Sequence, residues 1–414
     1  MSANPLFSGF PDKNSLIDWY RNQAVDLIPD INGHIHTPYS FSAFSDISLA
    51  FQMARQEGIS VLGINDFYTF DGYSEFSDLA LEYKIFPLFN IEFMALQHQL
   101  QKDGIRVNDP GNPGRTYFSG KGLRFPVKMS TQSEQKIRTL QDESNRQTYQ
   151  MVKKLNDFFA QNDIPISLNA EELHQQIAKQ LFRERHIAQA VRMAVFDAAP
   201  SPDARKRLFN RIFSGNSIKS PESDLALIEN EIRNNLLKAG GVAFVPEDPK
   251  AFLALSEVID IIIDAGGIPC YPVLLDDING NFTDFEKNWE SLYNALVEND
   301  VWAVELIPNR NDFNVLKDFV SFFNEKNFII SFGSEHNTPQ LDPLRVASRG
   351  DIPLDRDLRA INYEGAAVIA AHQYLVASGE QGYLKGRAAM FEKKEEFAEL
   401  GKAVLAWFKK TDSK

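Results

Sequence analysis

The sequence has almost no cysteine and no surplus of basic residues. Its 414 residues include a single cysteine, Cys270, which excludes an intramolecular disulfide and a zinc cluster built from thiolates. Acidic residues outnumber basic ones by 56 to 43, and the net charge is −13. Because such a chain has no basic surplus to neutralise phosphates, we expect no bulk binding to nucleic acid. The expected partner is a small anionic substrate held by a few local arginines, and the oligomeric state is left open.

Long hydrophobic runs are missing as well. No stretch reaches the roughly 18 apolar residues that a transmembrane helix needs, and we expect no membrane partner. The N-terminal stretch MSANPLFSGFPDKN lacks the charged start and apolar core of a secretory signal, which predicts a cytoplasmic protein. The composition, with 43% hydrophobic and 24% charged residues, is that of a globular protein. Its length allows one large barrel with insertions or two to three smaller domains.

Short apolar runs of the β type alternate with amphipathic helical segments in two blocks, residues 20–98 and 241–345. This alternation predicts parallel strands joined by crossover helices. The strands are nearly continuous apolar runs, which is typical of a sheet whose outer face is covered by helices. We therefore predict an α/β barrel, with a doubly wound sheet as the alternative.

Three further regions interrupt or extend these blocks. Residues 99–130 are rich in glycine, proline and asparagine, which predicts an ordered loop excursion. Residues 131–240 have mostly helical periodicity, which predicts an inserted helical subdomain. Residues 352–414 carry two more helical segments, which predict a C-terminal helical extension.

Side chains that bind metals gather at the carboxyl ends of the predicted strands, where α/β barrels build their sites. In the first strand two histidines are two positions apart, so they project from the same face. Imidazoles and carboxylates together bind manganese, zinc or iron, and such an ion lowers the pKa of water and polarises a phosphoryl or carbonyl oxygen. The alternative is a pair of hydrogen-bonded core histidines. The strand-end residues are His34, His36, Asp66, Glu92, Glu305, Glu335 and His336.

Several motifs follow one another in a fixed order. DINGHIHTPYS is followed by MARQEGISVLGIND, FNIE, RERHIAQAV, IIIDAGGIPCYP and ISFGSEHN. Over residues 28–98 and 180–340 this series resembles the polymerase and histidinol phosphatase (PHP) family, and within it the phosphoesterases of nucleotide or oligonucleotide phosphates. The resemblance implies the PHP fold, a distorted TIM-like (β/α)7 barrel with a helical insertion, and a metal-dependent hydrolytic site.

The chain departs from the family pattern at several ligand positions. Phe67 stands where the second motif has histidine, Phe41 where an acidic residue follows the first motif, and Tyr271 where the family has the histidine of His-Pro. In the last motif Glu335 takes the place of an aspartate, and His336 lies one position before the usual histidine. The family's full set supports up to three ions, so the losses imply one or two divalent ions (Mn, Zn or Fe). The predicted ligands are His34, His36, Glu92, Glu335 and His336.

Other candidates would assist catalysis or bind substrate. Asp66 is either a ligand or an N-cap, Tyr271 is expected to donate a hydrogen bond into the site, and Glu305 is expected to orient a ligand or the substrate. A guanidinium in a glycine- and proline-rich loop or just beyond a strand end is well placed to bind an anion. The resemblance adds two residues of the RERHIAQAV helix. The predicted substrate-binding residues are Arg115, Arg185, His186 and Arg310.

These features predict a metal-dependent hydrolase, and first a phosphoesterase that acts on a small phosphorylated metabolite or nucleotide. Two alternatives stay open. One is metal-dependent hydrolysis of a carboxylic ester or an amide, because the ligands of the family's third metal position are lost. The other is a catalytically inactive protein that binds a ligand on the same fold.

Overall fold

A seven-stranded sheet, curled into an almost closed barrel, forms the centre of a computed structural model that describes residues 5–23 and 27–410. β4 is antiparallel to both of its neighbours, and the other neighbouring pairs are parallel. A bridge between Ile35 and Glu335 joins the first strand to the loop after the last one. In chain order the strands are β1 (Asp30–Ile35), β2 (Ile59–Phe67), β3 (Phe86–Leu96), β4 (Arg115–Lys121), β5 (Ile268–Val273), β6 (Ala303–Leu306) and β7 (Ile329–Phe332).

Helices in the first half of the chain connect the strands as the periodicity predicts. The helix after β1 begins at Asp46, whose carboxylate accepts the backbone N–H of Leu49 at 3.0 Å. It ends at Gly58, which adopts the left-handed conformation with φ 76° that favours glycine. The helices of this half are α1 (Lys13–Arg21), α2 (Ile47–Glu57), α3 (Tyr73–Tyr83) and α4 (His98–Lys102).

A helical insertion between β4 and β5 has a hydrophobic core of its own. Leu155, Phe182, Val191 and Ile232 are fully buried in this second core, apart from the core of the barrel. The insertion contains α5 (Thr131–Gln161), α6 (Ala170–Gln176), α7 (Glu184–Ala198), α8 (Pro202–Ile212) and α9 (Leu225–Ile232), followed by a π-helical turn at Arg233–Leu237.

The last two helices of the chain pack closely on the barrel and on each other. A Cβ atom at Gly365 would lie 1.9 Å from the carbonyl oxygen of Ile330 in β7, and one at Gly401 would lie 1.7 Å from that of Ala367. Glycine is therefore required for these contacts. The helices after the insertion are α10 (Leu255–Asp264), α11 (Trp289–Glu298), α12 (Phe313–Glu325), α13 (Arg356–Ala377) and α14 (Lys394–Lys410); short antiparallel pairs are β8 (Ala347–Ser348) with β9 (Ile352–Pro353) and β10 (Leu384–Lys385) with β11 (Ala388–Ala389).

The predicted α/β barrel is confirmed, because the bridge from Ile35 in β1 to Glu335, just after β7, brings the two ends of the sheet together. The stretch 99–130, which was expected to be a loop, instead contains most of helix α4 and, at residues 115–121, the strand β4. Flanking glycines and prolines give this stretch the composition of a loop, while its pairing partners β3 and β5 supply the hydrogen bonds that make it a strand. Within the described ranges, no helix is long and apolar enough to cross a membrane.

Candidate metal centre

Three buried side chains bring possible ligand atoms together at the mouth of the barrel. His34 in β1, His36 just after it and Glu92 in β3 each offer one atom, and these atoms lie within 4.8 Å of one another. The two histidine Nε2 atoms are 3.2 Å apart, and that of His36 lies 3.3 Å from a carboxylate oxygen of Glu92. Ligands about 2.1 Å from a single ion stand roughly 3.4 Å apart in a tetrahedron, so these spacings fit a divalent ion.

The electrostatics of the three side chains also fit a cation. Burial raises the pKa of Glu92 to about 8, an effect that the charge of His34 opposes and the carboxylates of Glu335 and Glu305 reinforce. Burial lowers the pKa of His36, which keeps that imidazole neutral. A buried carboxylate beside the neutral His36 ring is costly unless a positive partner stabilises its charge. A divalent ion would provide that partner, so the donor set suits a metal such as manganese, zinc or iron.

A network behind His34 fixes the orientation of its ring. One oxygen of Glu305 accepts the Nδ1–H of His34 at 2.9 Å and also pairs with the ammonium of Lys121, while the other accepts the hydroxyl of Ser119. Burial alone would raise the pKa of Glu305, but the positive charges of Lys121 and His34 bring it well below the usual range. With its proton on Nδ1, His34 directs the lone pair of Nε2 toward the centre.

A second network holds His36, and it contains Asp66. The Asp66 carboxylate accepts the backbone N–H of Thr37 at 2.7 Å, the hydroxyl of Thr37, and the hydroxyl of Ser40 at 2.6 Å. The Ser40 oxygen in turn lies 3.3 Å from Nδ1 of His36. Burial raises the pKa of Asp66. Asp66 therefore lies behind His36, where it shapes the loop after β1 and orients the ring through Ser40.

Glu335 lines the same cavity as His34 and Glu92. It follows β7 in the left-handed conformation, with φ 63°, and its carboxylate pairs with the guanidinium of Arg310. Burial would raise the pKa of Glu335, but Arg310, His34 and His36 lower it overall. Four of the five predicted ligands thus line or adjoin one cavity.

His336, the fifth predicted ligand, points away from the cluster. Its Nδ1 lies 2.8 Å from the hydroxyl oxygen of Ser334, and its Nε2 donates to the carbonyl oxygen of Asp342 at 2.7 Å. Its ring also stacks on Phe44, with 4.9 Å between the ring centres. Both nitrogens are thus engaged within the loop, and the structure places His336 outside the group that would share an ion.

A cavity of about 330 Å³ opens above the cluster, and three arginines from the insertion, Arg183, Arg185 and Arg233, line it. The guanidinium of Arg183 lies 4.6 Å from the ring centre of Phe67, and that of Arg185 lies 5.5 Å from the ring centre of Phe41. Across residues 5–23 and 27–410, no carboxylate forms an ion pair with either guanidinium. Burial and the neighbouring charge of Arg233 lower the pKa of Arg185 to about 10, so it stays cationic at neutral pH.

The predicted substrate-binding residues divide between this cavity and other places. Arg185 and Arg310 line the cavity. Arg115 lies elsewhere, where it pairs with Glu247 at 2.6 Å. His186 is buried, and its Nδ1 accepts the backbone N–H of Arg183 at 3.0 Å. His186 thus closes the first turn of α7 and leaves the cavity to the arginines on either side of Glu184.

Tyr271 and Cys270 lie on opposite faces of β5, as strand alternation predicts. The hydroxyl of Tyr271 donates to Glu286 at 2.9 Å, and Pro272, the residue after it, lines the cavity. Burial raises the pKa of the Cys270 thiol, and the charge of Glu305 raises it further. The face of β5 that looks toward Glu305 therefore carries Cys270, while Tyr271 supports the chain beside the cavity.

Two residues with clear positions at the site, Arg183 and Lys121, were not among the predicted site residues. Arg183 is the residue at which α7 begins, and a cation next to the start of a helix beside a predicted site is the one signal that pointed to it. Lys121 was not selected because the residues of its strand have the composition of a loop.

No family model and no curated protein sequence matches the chain. Among solved structures, it is similar to a proposed metal-dependent phosphoesterase from Bifidobacterium adolescentis, with a TM-score of 0.50 and 16% identity over 80% of this chain and 94% of that one. An amidohydrolase from Chromobacterium violaceum aligns with a TM-score of 0.49 and 14% identity over 80% of this chain and 96% of that one. At 16% identity the first likeness shows a shared fold, and the chemistry has to be argued from the side chains of this chain.

Proposed function

We propose that the protein is a metal-dependent phosphoesterase that hydrolyses a small phosphorylated metabolite or nucleotide. One observation carries this proposal: a buried cluster with the ligand chemistry of a metal site shares a cavity with two guanidiniums that have no carboxylate partner in the described ranges. A phosphate monoester has two negative charges and several acceptor oxygens, so it suits this arrangement. The proposed metal-dependent phosphoesterase of similar fold supports the same reaction class.

His34, His36 and Glu92 would hold the ion, and Glu335 adjoins them in the same cavity. When bound there, a divalent ion supplies a water of lowered pKa and polarises a phosphoryl oxygen. Glu305 holds the proton of His34 on Nδ1, which leaves Nε2 as the donor atom. In this proposal Glu305 and Asp66 are positioning residues, because each acts on a ligand ring and neither belongs to the cluster.

Arg183 and Arg185 bind and orient the phosphoryl group. Each guanidinium presents a planar set of N–H donors that matches two oxygens of a phosphate. The rings of Phe67 and Phe41 support these side chains from one side, which limits the orientations that the guanidiniums adopt before the substrate arrives. The two arginines therefore place the phosphorus next to the cluster.

The rest of the cavity wall sets the size and polarity of the substrate. Pro272, Leu274 and Ile307 give it an apolar side, and Asn108 and Asn337 give it amide groups. A volume of about 330 Å³ lies at the small end of ordinary ligand sites, which suits a metabolite or a mononucleotide.

A panel of substrates tests the reaction class. The purified protein, loaded with Mn²⁺ or Zn²⁺, is assayed with p-nitrophenyl phosphate, nucleoside monophosphates, p-nitrophenyl acetate and an anilide. We expect turnover of the phosphate esters, and we expect His34→Ala/His36→Ala to lose both bound metal and turnover. Arg183→Ala/Arg185→Ala should keep the metal and lose about 10²-fold or more in kcat/KM, because two charged hydrogen-bond donors are removed.

Arg138→Ala is the matched control, since Arg138 is an exposed arginine of the insertion whose side chain is 68% accessible. It should retain full activity. Turnover that survives removal of the metal would contradict the proposed mechanism. Hydrolysis of the acetate or the anilide alone would replace the phosphoesterase with another metal-dependent hydrolase, and bound metal without any turnover would indicate a binding protein.

A further inference from the structure

A lysine lies wholly inside the barrel, one ion pair away from the metal centre. Lys121 is the last residue of β4, and its side chain is completely buried. Its ammonium pairs with Glu305 and donates to the side-chain oxygen of Asn65 at 3.2 Å. A buried ammonium is costly unless it is paired, so its position next to a predicted metal site requires an explanation.

The partners of Lys121 fill the acceptor sites of Glu305. One oxygen of Glu305 accepts the hydroxyl of Ser119, and the other accepts both Lys121 and the Nδ1–H of His34. The side-chain amide of Asn65 donates to the same Ser119 oxygen at 3.3 Å. Glu305 is thus bound by donors of its own chain on both oxygens, and it orients His34 from behind the ring.

The buried charges around the centre set how many cations it accepts. Glu92, Glu305 and Asp66 are the carboxylates, Lys121 is the ammonium, and Glu335 is already paired with Arg310. Together they leave two net negative charges for bound metal to neutralise. One divalent ion balances that charge, whereas two divalent ions exceed it by two in a region where charges are poorly screened.

We propose that Lys121 acts as a built-in cation that limits the centre to a single divalent ion and reserves Glu305 for orienting His34. This inference rests on the metal site of the proposed function. It adds that the lysine neutralises a carboxylate that would otherwise attract a second ion.

Metal stoichiometry tests the proposal without any assay of activity. Protein is freed of metal by chelation, dialysed against Co²⁺ and analysed for cobalt per chain, and the visible spectrum of the bound Co²⁺ reports its coordination. We expect one ion in the wild type and one in Lys121→Arg, which keeps the charge. Lys121→Met should bind two, the second more weakly, because Glu305 then keeps a charge that no ammonium of the chain neutralises.

The double variant Lys121→Met/Glu305→Gln removes both charges and should bind one ion again. Two ions in the wild type, two in the double variant, or one in a folded Lys121→Met would each overturn the role of Lys121. A wild type that binds no ion would overturn the metal site itself, and with it the proposed function. If Lys121→Met does not fold, Lys121→Gln, which removes the same charge, replaces it and should likewise bind two ions.

Discussion

The two buried glutamates that face the barrel interior, Glu305 and Glu92, have opposite surroundings. Glu305 receives an ammonium, an imidazole N–H and a hydroxyl, and these donors bring its pKa well below the usual range although burial opposes them. Glu92 faces two imidazoles, and burial raises its pKa to about 8. The chain itself neutralises Glu305, which therefore has a structural role. The charge of Glu92 would be neutralised by a metal ion from solution, which gives Glu92 a functional role.

The largest expected effect comes from Glu92→Gln, which tests whether the charge of Glu92 requires a metal ion as its partner. The variant should lose bound metal and at least about 10³-fold in kcat, because a divalent ion contributes several kcal/mol to such a reaction. Its metal-free form should be about 1–3 kcal/mol more stable than the metal-free wild type, since a neutral amide is less costly to bury than a carboxylate. Metal analysis, phosphate-ester assays and urea unfolding with chelator measure these quantities. A loss of stability in the metal-free variant would show that Glu92 already has an internal partner.

The reverse result is expected for Glu305→Gln. This change leaves the ammonium of Lys121 buried without its counter-charge, which should cost about 3 kcal/mol of unfolding free energy even without metal. Urea unfolding of the chelated protein measures the loss. Lys121→Met/Glu305→Gln is the matched control and should recover most of the stability, because it buries no unpaired charge. Equal stability of the single and double variants would contradict the view that Glu305 and Lys121 form one unit.

The same contrast explains which parts of the molecule were predictable. Alternation of apolar runs and helical segments was enough for the barrel. His34 and His36 were found because residues two apart share a face of a strand, and Glu92 because a carboxylate in a buried apolar run needs a partner. Because these features depend on residues that are close in the sequence, they can be predicted from the sequence alone.

What escaped the sequence depends on contacts between distant residues. Lys121 pairs with Glu305, which is 184 positions away in the sequence, and no local sequence pattern predicts that contact. The direction of His336 follows from positive φ angles at Glu335 and at His336 itself, which turn the ring toward Asp342. The partnership of Arg183 with Phe67 forms only when the insertion folds over the barrel mouth.

His372, a histidine far from the metal centre, resembles Glu305 because groups of the chain itself satisfy its hydrogen bonds. His372 in α13 donates from Nε2 to the carbonyl oxygen of Gly266 at 2.7 Å and accepts the backbone N–H of Tyr383 at Nδ1 at 2.9 Å. Burial lowers its pKa to about 4. Since the folded pKa lies below that of the unfolded chain, about 6.5, the unfolded state binds the proton more readily, and stability falls as the pH drops from about 6.5 to about 4.

We expect His372 to contribute about 2 kcal/mol of this loss at pH 5. Urea unfolding of the chelated wild type and of His372→Gln, at pH 7 and at pH 5, isolates the contribution as the difference between their pH dependences. His98→Gln, a change at an exposed position at the start of α4, serves as the control and should follow the wild type. Identical pH dependence in His372→Gln and the wild type would place the titration on other groups.

The smallest expected effect concerns Phe67, the ring that supports Arg183 beside the cluster. Phe67→Leu keeps an apolar side chain but removes the aromatic face, which contributes about 0.5–1 kcal/mol to holding a guanidinium. KM for a phosphate ester should rise about 2- to 5-fold while the metal content stays the same. Phe41→Leu should have a weaker effect, because Arg185 lies farther from its ring, at 5.5 Å. The ring of Phe67 also stacks on His36, with 5.2 Å between ring centres. Loss of metal in Phe67→Leu would therefore show that this ring supports the metal ligands. An effect on KM alone would show that the ring of Phe67 acts on substrate binding through Arg183.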